Sequence, residues 1–378
     1  MIIKLIATST AGIEAVVKRE AEHLGFSNIT VQNGKVEFEG DFGSIARANL
    51  WFRSADRILV KIGEFKALTF DELFENTKAL PWDEWISKNG RFTVQGKSVK
   101  SKLFSISDCQ SIVKKAVVEK LKSKHFVEWF TEDGPDFTIQ VALLNDIATL
   151  TLDSSGTGLH KRGYREKNVE APIKETMASA LIDISYWNKK RILLDPFCGS
   201  GTIPIEAALI GINSAPGLNR SFASEEWPIV PKKLWNSERE KARDLIEKNP
   251  DILIYGSDID PKAIALAKEN AQKAGVGKLI KFTISDFKEV KPMGEYGVII
   301  SNPPYGERMG ERQEAENLCR EMGKAFRQFE SWSKYIITPV ENFERLYGKR
   351  ADKKRKLFAG GLKVDYYQYF GPKPQRNI

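Results

Sequence analysis

Residues 195–209 read DPFCGSGTIPIEAAL, and this stretch decides the fold of the C-terminal half of the chain. The preceding RILLD, residues 191–195, is typical of a buried strand, and residues 199–201 turn it into a helix that carries Pro204 in its first turn. Glycines allow a sharp bend and a close ligand approach, while N–H groups at a helix start attract a carboxylate or phosphate. The stretch therefore predicts a ligand site at the end of a strand.

Two common nucleotide-binding patterns do not fit this glycine turn (residues 199–201). A dinucleotide-binding fingerprint has a third glycine where Pro204 stands, and its acid follows only the next strand, whereas here Asp195 precedes the turn. A Walker motif needs a Lys-Ser or Lys-Thr pair after the glycines, and the chain has none there. NAD and ATP are therefore disfavoured as ligands.

From about residue 190, strands alternate with helices, which is typical of a doubly wound, mostly parallel sheet. The helix after the second strand has Asp260 as its predicted N-cap and Pro261 at its first position. The C-terminal stretch predicts a hairpin that turns at Gly360-Gly361. Seven strands result, and the last pair is antiparallel. The six that follow the first lie in residues 251–260, 278–286, 296–301 and 334–339 and, for the two strands of the hairpin, in 355–371.

Acidic residues follow three consecutive predicted strands, namely Asp195, Asp258 and Asp286. Any one of them alone is more often a helix cap or a turn residue. Together they occupy the edge where such sheets bind ligands, with Asp258 placed for ribose hydroxyls and Asp286, beside Phe287, for an adenine. S-adenosylmethionine has this shape, because its carboxylate and ammonium suit the glycine turn and Asp195.

The fourth predicted strand ends in SNPPYG, residues 301–306. Consecutive prolines stiffen the backbone, so that Asn302 Oδ1 and the Pro303 carbonyl can both accept hydrogen bonds from one planar NH2 group. The ring of Tyr305 can stack on the base that carries this group. Asn-Pro and Pro-Pro pairs also punctuate ordinary turns, but beside a cofactor strand the tetrapeptide predicts a clamp that positions an amine for reaction.

The N-terminal part predicts two smaller α+β units, at residues 1 to about 60 and about 65 to 155. The second unit has a helix in residues 107–123, with Ser107 as its predicted N-cap and Asp108 complementing its dipole. Further along, residues 211–250 interrupt the sheet pattern. They predict a loop with a short charged helix, and they contain Trp227 and Trp235.

Basic residues are concentrated between Lys88 and Lys124, where ten Lys or Arg stand against two acidic residues. Such a run is often only a solvated helix face, but it also suits a surface that follows a phosphate backbone, and composition leaves both open. A second run at residues 349–356 is ambiguous in the same way. The candidate phosphate contacts of the first run are Lys97, Lys100, Lys102, Lys114 and Lys115.

The composition narrows the class of protein. The chain has 378 residues, with 58 Lys plus Arg against 50 Asp plus Glu and 42% hydrophobic residues, which predicts two or three folded domains. Three cysteines without a CxxC pair and three histidines disfavour a disulfide framework and a metal site. No apolar run reaches the roughly 18 residues of a membrane span, and the N-terminus does not resemble a secretory signal. A cytoplasmic protein is expected.

Four motifs in order, DPFCGSGT, GSDID, ISDF and NPPYGER, resemble those of the S-adenosylmethionine-dependent class I methyltransferases that modify amino groups of nucleobases. LHKRGYR (159–165) followed by APIKE (171–175) resembles the junction between a THUMP domain and such a catalytic domain. Over nearly the whole chain, the resemblance is to the bacterial family related to 23S rRNA guanine-N2 methyltransferases.

This resemblance implies an α/β fold, a seven-stranded Rossmann-like methyltransferase sheet with an antiparallel last hairpin, preceded by α+β ferredoxin-like and THUMP units. It implies four segments, which are a ferredoxin-like unit at 1–62, a THUMP RNA-binding domain at 63–158, a linker and cofactor-flanking helix at 159–189, and a class I methyltransferase domain at 190–378. RNA is the implied partner, with no membrane and no obligate protein partner.

The resemblance also implies roles for individual residues, with S-adenosylmethionine as cofactor and no metal. Cys198 is implied to be a small packing residue in the turn rather than the nucleophile of a pyrimidine-C5 methyltransferase. The cofactor contacts would be Asp195, Cys198, Gly199, Gly201, Thr202, Asp258, Ile259, Asp286, Phe287 and Asn302. The target-base clamp would be Asn302, Pro303, Pro304 and Tyr305, and further RNA contacts would be Lys161, Arg162 and Arg165.

The expected reaction is direct methyl transfer to the exocyclic N2 amine of a guanosine in structured RNA, with 23S rRNA as the first expectation and tRNA as an alternative. A DNA adenine-N6 methyltransferase is a second alternative, since adenine also presents an exocyclic NH2. A non-catalytic RNA-binding factor of ribosome assembly, with a vestigial cofactor pocket, is a third.

Overall fold

The computed structural model describes residues 2–165, 173–305 and 309–373, and the chain divides into two compact units. Each unit contains a seven-stranded sheet. The sequence places residues 217–242 in the C-terminal segment, whereas the structure packs them into the first unit. That unit consists of Met1–Ser9, Val17–Leu159 and Gly217–Ala242, and the second of Thr10–Val16, His160–Pro216 and Arg243–Ile378.

The N-terminal elements alternate between strands and helices. In chain order they are β1 (Ile3–Thr8), α1 (Glu14–His23), β2 (Ser27–Gln32), β3 (Lys35–Gly40), α2 (Phe42–Trp51), β4 (Arg57–Lys66), α3 (Phe70–Ala79), α4 (Trp82–Trp85), β5 (Arg91–Val99), α5 (Ile106–His125), β6 (Asp136–Leu144) and β7 (Ile147–Asp153). The strand order of the first sheet is β2-β3-β1-β4-β7-β6-β5. Its neighbours are antiparallel except for the parallel pair β5 and β6.

The start of α5 differs from the prediction. The helix begins at Ile106, and its N-cap is Ser105 rather than Ser107. The reason lies in the backbone, because Ser105 is extended while its carbonyl already accepts the N–H of Cys109 at 3.1 Å. Asp108 nevertheless lies in the first turn, where its charge complements the helix dipole as predicted.

The second unit has the alternation expected of a doubly wound sheet. Its elements are α6 (Glu175–Ile184), β8 (Leu193–Asp195), α7 (Thr202–Gly211), β9 (Ile254–Asp258), α9 (Pro261–Lys273), β10 (Ile280–Ile284), β11 (Val298–Ser301), α10 (Met309–Ala325), β12 (Ser333–Thr338), α11 (Phe343–Tyr347), β13 (Lys353–Ala359) and β14 (Leu362–Tyr369). Helix α8 (Lys232–Asp244) lies between α7 and β9 in the chain, and all but its last two residues belong to the first unit. Asp260 caps α9, and its side chain accepts the N–H of Lys262, as predicted.

The sheet of the second unit confirms the predicted fold class. Its strand order is β10-β9-β8-β11-β12-β14-β13. Strands β8 to β12 are mutually parallel, and β14 runs antiparallel to both of its neighbours. The last hairpin turns at residues 360–361, as predicted. Apolar side chains fill both faces of the centre of the sheet, which explains why the central strands β8 and β11 are buried throughout.

The segment between α7 and β9 contains the charged helix that the sequence predicts, α8. Its two tryptophans are buried in the core of the first unit. The ring of Trp227 stacks on Phe137 of β6 at 5.1 Å, and its Nε1 donates a hydrogen bond to the carbonyl of Asp136. The insertion therefore completes a core that begins more than 70 residues earlier in the sequence.

Within the three described ranges, no helix combines the length and the apolar character needed to cross a bilayer. The same ranges contain no group of three His, Cys, Asp or Glu side chains arranged to hold a metal ion. The three cysteines are free and buried.

Candidate functional site

The predicted site residues meet at one edge of the second sheet. Strand β8 ends at Asp195 and β9 at Asp258, Asp286 follows β10 by two residues, and Asn302 directly follows β11. These four strands are neighbours and parallel, so their carboxyl ends lie together. The edge is the one where open α/β sheets bind their ligands.

The glycine turn uses its two glycines for different reasons. Both have positive φ, +51° at Gly199 and +85° at Gly201. A Cβ on Gly201 would come within 3.0 Å of Ala267 and 3.1 Å of the Phe282 ring, so this glycine permits packing inside the protein. A Cβ on Gly199 would meet no atom within 4 Å. Gly199 therefore faces open space, where a ligand can approach the backbone.

Asp258 holds the glycine turn in place. Its Oδ2 accepts the N–H of Gly199 at 2.9 Å, and its Oδ1 accepts the N–H of Asp260 at 3.0 Å. Because each carboxylate oxygen can accept more than one hydrogen bond, the side chain keeps acceptor capacity for a ligand. The next residue, Ile259, is 68% exposed and offers an apolar surface at the tip of β9.

Asp195 is a buried carboxyl beside this turn. Burial raises its pKa well above the usual value, the hydrogen bond from the Phe197 N–H opposes this shift, and the charge of Asp258 adds to it. A buried carboxylate of this kind is stabilised by a cation. Asp195 is therefore suited to bind an ammonium group.

Cys198 does not have the properties of a nucleophile. The side chain is buried inside the turn. Burial raises the pKa of its thiol well above the usual value, and the neighbouring charge of Asp195 raises it further. The thiolate that nucleophilic attack requires is therefore disfavoured.

After β10, the two predicted adenine contacts, Asp286 and Phe287, differ in their exposure. Asp286 is half-buried, and its Oδ1 accepts the N–H of Lys288. Phe287 is only 7% exposed, and its ring packs against Phe197 at 4.8 Å and edge-on against Phe326. Phe287 is thus a core residue, so the predicted packing of its ring on an adenine has little exposed surface to use.

The tetrapeptide after β11 lies at the same sheet edge. Asn302 and Tyr305 are half-buried, Pro303 is buried and Pro304 is exposed. The two clamp side chains expected to contact the base, Asn302 and Tyr305, are thus partly accessible. The rest of the predicted motif, residues 306–308, lies outside the described residues, as do Ala171 and Pro172 of the APIKE segment.

A buried acid in α7, the helix that follows the glycine turn, was not among the predicted site residues. Glu206 of α7 is fully buried and accepts hydrogen bonds from Tyr164 Oη at 3.0 Å and Ser179 Oγ at 2.7 Å. The Nε of Arg162 lies 3.7 Å from Glu206 Oε1. The signal was present in the sequence as one acidic residue in the otherwise apolar helix segment IPIEAALIG.

This network corrects two of the predicted RNA contacts. Arg162 is only 5% exposed, so it does not face a phosphate backbone. Arg165 is half-buried, forms an ion pair with Glu175 at 3.1 Å, and donates a hydrogen bond to Thr202 Oγ1 at 3.4 Å. Both arginines act inside the protein because they neutralise buried carboxylates, and Arg165 also holds the first residue of α7.

The other predicted RNA contacts lie at the surface. Lys161 is exposed next to His160, whose pKa is lowered to about 4 by burial and by the positive charges of Lys174 and Lys161. His160 is therefore neutral at pH 7. The candidate lysines of the first unit are all exposed, namely Lys97, Lys100, Lys102, Lys114 and Lys115. Of these, Lys115 lies over the ring of Phe74 at 5.7 Å.

A cavity of about 880 Å³ lies away from these residues, at the other end of the sheet. Its walls include Ile280, where β10 begins, and Gln272 near the end of α9. The parallel strands separate it from the edge that carries the acids and the glycine turn. The candidate site is therefore the edge itself.

Three family models match the chain in succession. An RlmL ferredoxin-like domain matches residues 4–59, and a THUMP domain matches residues 67–153. A model described as an RMKL-like methyltransferase domain matches residues 162–368, which is more than half of the chain.

Similar proteins cover the chain from end to end. YpsC of Bacillus subtilis (strain 168), provisionally named an RNA methyltransferase, is 54% identical over 375 residues, 98% of this chain and 97% of that protein. A Listeria monocytogenes protein described as a predicted N6-adenine-specific DNA methylase is 50% identical, with a TM-score of 0.94 over 98% of this chain and 97% of its own. SMU.472, provisionally described as a methyltransferase and complexed with SAH, is 44% identical, with a TM-score of 0.94 over 99% of both chains.

Proposed function

Because the chain belongs to the family with an RMKL-like methyltransferase domain, preceded by RlmL ferredoxin-like and THUMP domains, we propose a specific reaction for it. The protein methylates the exocyclic N2 amine of a guanosine in structured RNA, and 23S rRNA is the proposed substrate. It is an S-adenosylmethionine-dependent RNA methyltransferase. The observation that carries methylation of an exocyclic amine is the Asn302–Tyr305 clamp at the tip of β11, next to β8 and its glycine turn. The choice of guanosine N2 over adenine N6 rests on the match to the RlmL family.

The site fits S-adenosylmethionine by the chemistry of its residues. Gly199 leaves open space at the turn, and the N–H groups at the start of α7 suit a carboxylate. The buried Asp195 suits the ammonium group, and Asp258 keeps acceptor capacity for ribose hydroxyls. When bound, the cofactor supplies an electrophilic methyl group on its sulfonium.

The clamp residues position the target amine. Asn302 Oδ1 and the Pro303 carbonyl accept its two N–H groups, which directs the nitrogen lone pair out of the plane and toward the methyl group. Tyr305 stacks on the base, which has been flipped out of its helix. The rate gain then comes from orientation, and the amine can lose its extra proton to water after transfer.

Labelled S-adenosylmethionine, the purified protein and total RNA from a strain that lacks the enzyme test this proposal. We expect label in N2-methylguanosine, and mapping of the modified nucleotide would distinguish ribosomal from transfer RNA. Label in adenine N6 or on a cytosine carbon would contradict the N2 assignment. Duplex DNA is the essential competitor, because the similar Listeria protein is described as a DNA methylase.

Replacing Gly199 by Ala is expected to weaken binding of S-adenosylhomocysteine, the demethylated cofactor, at least tenfold. The new Cβ enters the space reserved for the ligand but touches no protein atom, so the loss of stability is limited to the strain of positive φ, about 1–2 kcal/mol. Isothermal titration calorimetry measures the affinity. Gly201→Ala is the matched comparison, because its Cβ would press on Ala267 and Phe282 and reduce stability more than Gly199→Ala does.

The affinity for S-adenosylhomocysteine is expected to rise with pH. Because burial raises the pKa of Asp195 well above its usual value, this carboxyl takes up a proton at higher pH than an exposed aspartate does, while the ligand's ammonium, charged from pH 5 to 8, favours the carboxylate. Binding therefore releases a proton, and affinity increases by up to about tenfold per pH unit until the pKa of the free protein is passed. Calorimetry from pH 5 to 8 should show this slope in the wild type, and a flat, weaker profile in Asp195→Asn. An equal slope in both proteins would contradict this role of Asp195.

A further inference from the structure

An exposed aromatic ring lies on the loop between β5 and α5, residues 100–105, in the first unit. The side chain of Phe104 is 81% exposed, although phenylalanine is among the residues most often buried. Lys100 and Lys102 of the same loop are exposed, as is Lys97 near the end of β5. The loop thus presents a ring beside three cations and two exposed apolar residues, Val99 and Ile106, and none of these residues belongs to the cofactor site.

The 100–105 loop is fixed by hydrogen bonds to the turn between β6 and β7. The N–H of Lys102 donates to Asp146 Oδ1 at 2.7 Å, and the N–H of Asp146 donates to Ser101 Oγ at 3.0 Å. Leu103, directly before Phe104, is buried in the core of the first unit and fixes the loop at this point. The exposure of Phe104 is therefore imposed by its surroundings.

The helix that follows the loop is fixed as well. Gln110 Nε2 donates a hydrogen bond to the Val94 carbonyl at 3.1 Å, which ties α5 to β5. A Cβ on Gly96 would approach Ile106 and Gln110 to 3.1 Å, so this glycine allows the helix to lie close to the strand. Because the segments before and after Phe104 are both fixed, the loop loses little conformational entropy when a ligand stacks on the ring.

The chemistry of this surface suits an unpaired nucleotide. Aromatic rings stack on nucleobases, and lysines neutralise the adjoining phosphates. Both faces of a base in a continuous duplex are already covered, so only an unpaired or terminal base can use the ring. Two acids lie nearby, but Asp146 accepts the Lys102 N–H and Asp108 is on the first turn of α5, where its charge complements the helix dipole.

We propose that Phe104, together with Lys100 and Lys102, binds an unpaired nucleotide of the substrate RNA, with the base stacked on the ring and its phosphates against the lysines. The inference rests on the proposed function, since it takes RNA as the substrate. It adds that the recognised RNA presents a single-stranded nucleotide to the first unit.

A matched control exists on the same unit. Phe126, the C-cap of α5, is 91% exposed and lies between the exposed residues Lys124 and Glu128. The helix has 20 residues and is therefore about 30 Å long, so Phe126 is too far from Phe104 to share one nucleotide with it. Phe126→Ala therefore tests whether binding depends on the 100–105 loop or on any exposed ring of this unit.

The test compares binding of two RNAs, a short hairpin with a single-stranded 3′ overhang and the same hairpin with a blunt end. Fluorescence anisotropy measures affinity, and 2-aminopurine in the overhang reports stacking by quenching. We expect Phe104→Ala to weaken binding of the overhang RNA about tenfold and of the blunt RNA less than twofold. Phe104→Trp should retain binding and quenching, and Phe126→Ala should resemble the wild type.

Three results would overturn the inference. These are unchanged overhang binding by Phe104→Ala, an equal loss for both RNAs, and a loss in Phe126→Ala as large as that in Phe104→Ala. Unchanged hydrogen exchange in peptides from β5, α5 and β6 shows that the first unit of each variant is folded. Because the assay needs no methyl transfer, its failure is distinct from that of the proposed function, which fails only if the wild type leaves guanosine N2 unmodified.

Discussion

Replacing Asn302 by Ala is expected to reduce methyl transfer at least about 1,000-fold, which is the largest effect on activity that the site predicts. Asn302 directly follows β11, beside the cofactor strand β8, and its Oδ1 is one of the two acceptors proposed for the target amine. Without this acceptor the base can still enter, but its amine is no longer held in line with the methyl group. Single-turnover kinetics with saturating RNA measures the loss.

Binding measurements separate this role from a structural one. Asn302→Ala should bind RNA within about threefold of the wild type, because the positioning effect appears in the transition state. Since Asn302 is also an expected cofactor contact, affinity for S-adenosylhomocysteine should fall, but by far less than turnover does. Asn302→Asp keeps an acceptor oxygen and should retain more activity than the alanine variant. If Asn302→Ala kept near-normal turnover, or if it lost all cofactor binding, the clamp assignment would be wrong.

Replacing Glu206 by Ala is expected to have the largest effect on stability, about 3–5 kcal/mol for the second unit. The substitution removes the acceptor for Tyr164 Oη and Ser179 Oγ and leaves the buried Arg162 without its carboxylate at 3.7 Å. Buried hydroxyl donors that lose their acceptor, and a buried ion pair that loses one member, both cost more than the intact contacts contribute. The loss should also loosen α7, whose first turn follows the glycine turn.

Hydrogen exchange is the suitable measurement, because a chain with two compact units need not unfold in one step. Peptides from α6 and α7 should exchange faster in Glu206→Ala, and Glu206→Gln should be affected less because it still accepts hydrogen bonds. Glu316→Ala is the surface control. It removes an exposed ion pair with Arg320 on α10 and should change stability by less than about 1 kcal/mol. Equal effects of Glu206→Ala and Glu316→Ala would refute the argument.

Local sequence signals account for much of what was predicted. The cap of α9 at Asp260 followed from residues adjacent in sequence, and the structure confirms it. The ends of the predicted strands also followed from local signals, because an acid or an Asn-Pro pair at the end of a hydrophobic run indicates where the strand ends. The prediction of Ser107 as the cap of α5 was wrong because Ser105 and Ser107 stand only two residues apart and either can serve as a cap.

Side-chain burial could not be derived in the same way. Arg162 looked like an RNA contact within a basic segment, yet Glu206, 44 residues later in the sequence, brings it into the interior. Phe287 looked like a ligand contact beside an acid, yet Phe197 and Phe326 enclose it. Trp227 could be assigned no partner until the structure placed it on Phe137. Each case depends on residues that the fold brings together from distant parts of the chain.

The sequence by itself determined the order of the motifs, the parallel sheet and the edge at which the acids, the glycine turn and the Asn-Pro-Pro-Tyr clamp meet. Those features are encoded by neighbouring residues, since strand ends, turns and caps depend on local backbone preferences. Only the tertiary structure decided that residues 217–242 complete the first unit, that Glu206 and Arg162 share the interior, and that Phe104 stays outside. Exposure is set by packing between distant segments, and local sequence patterns do not encode it.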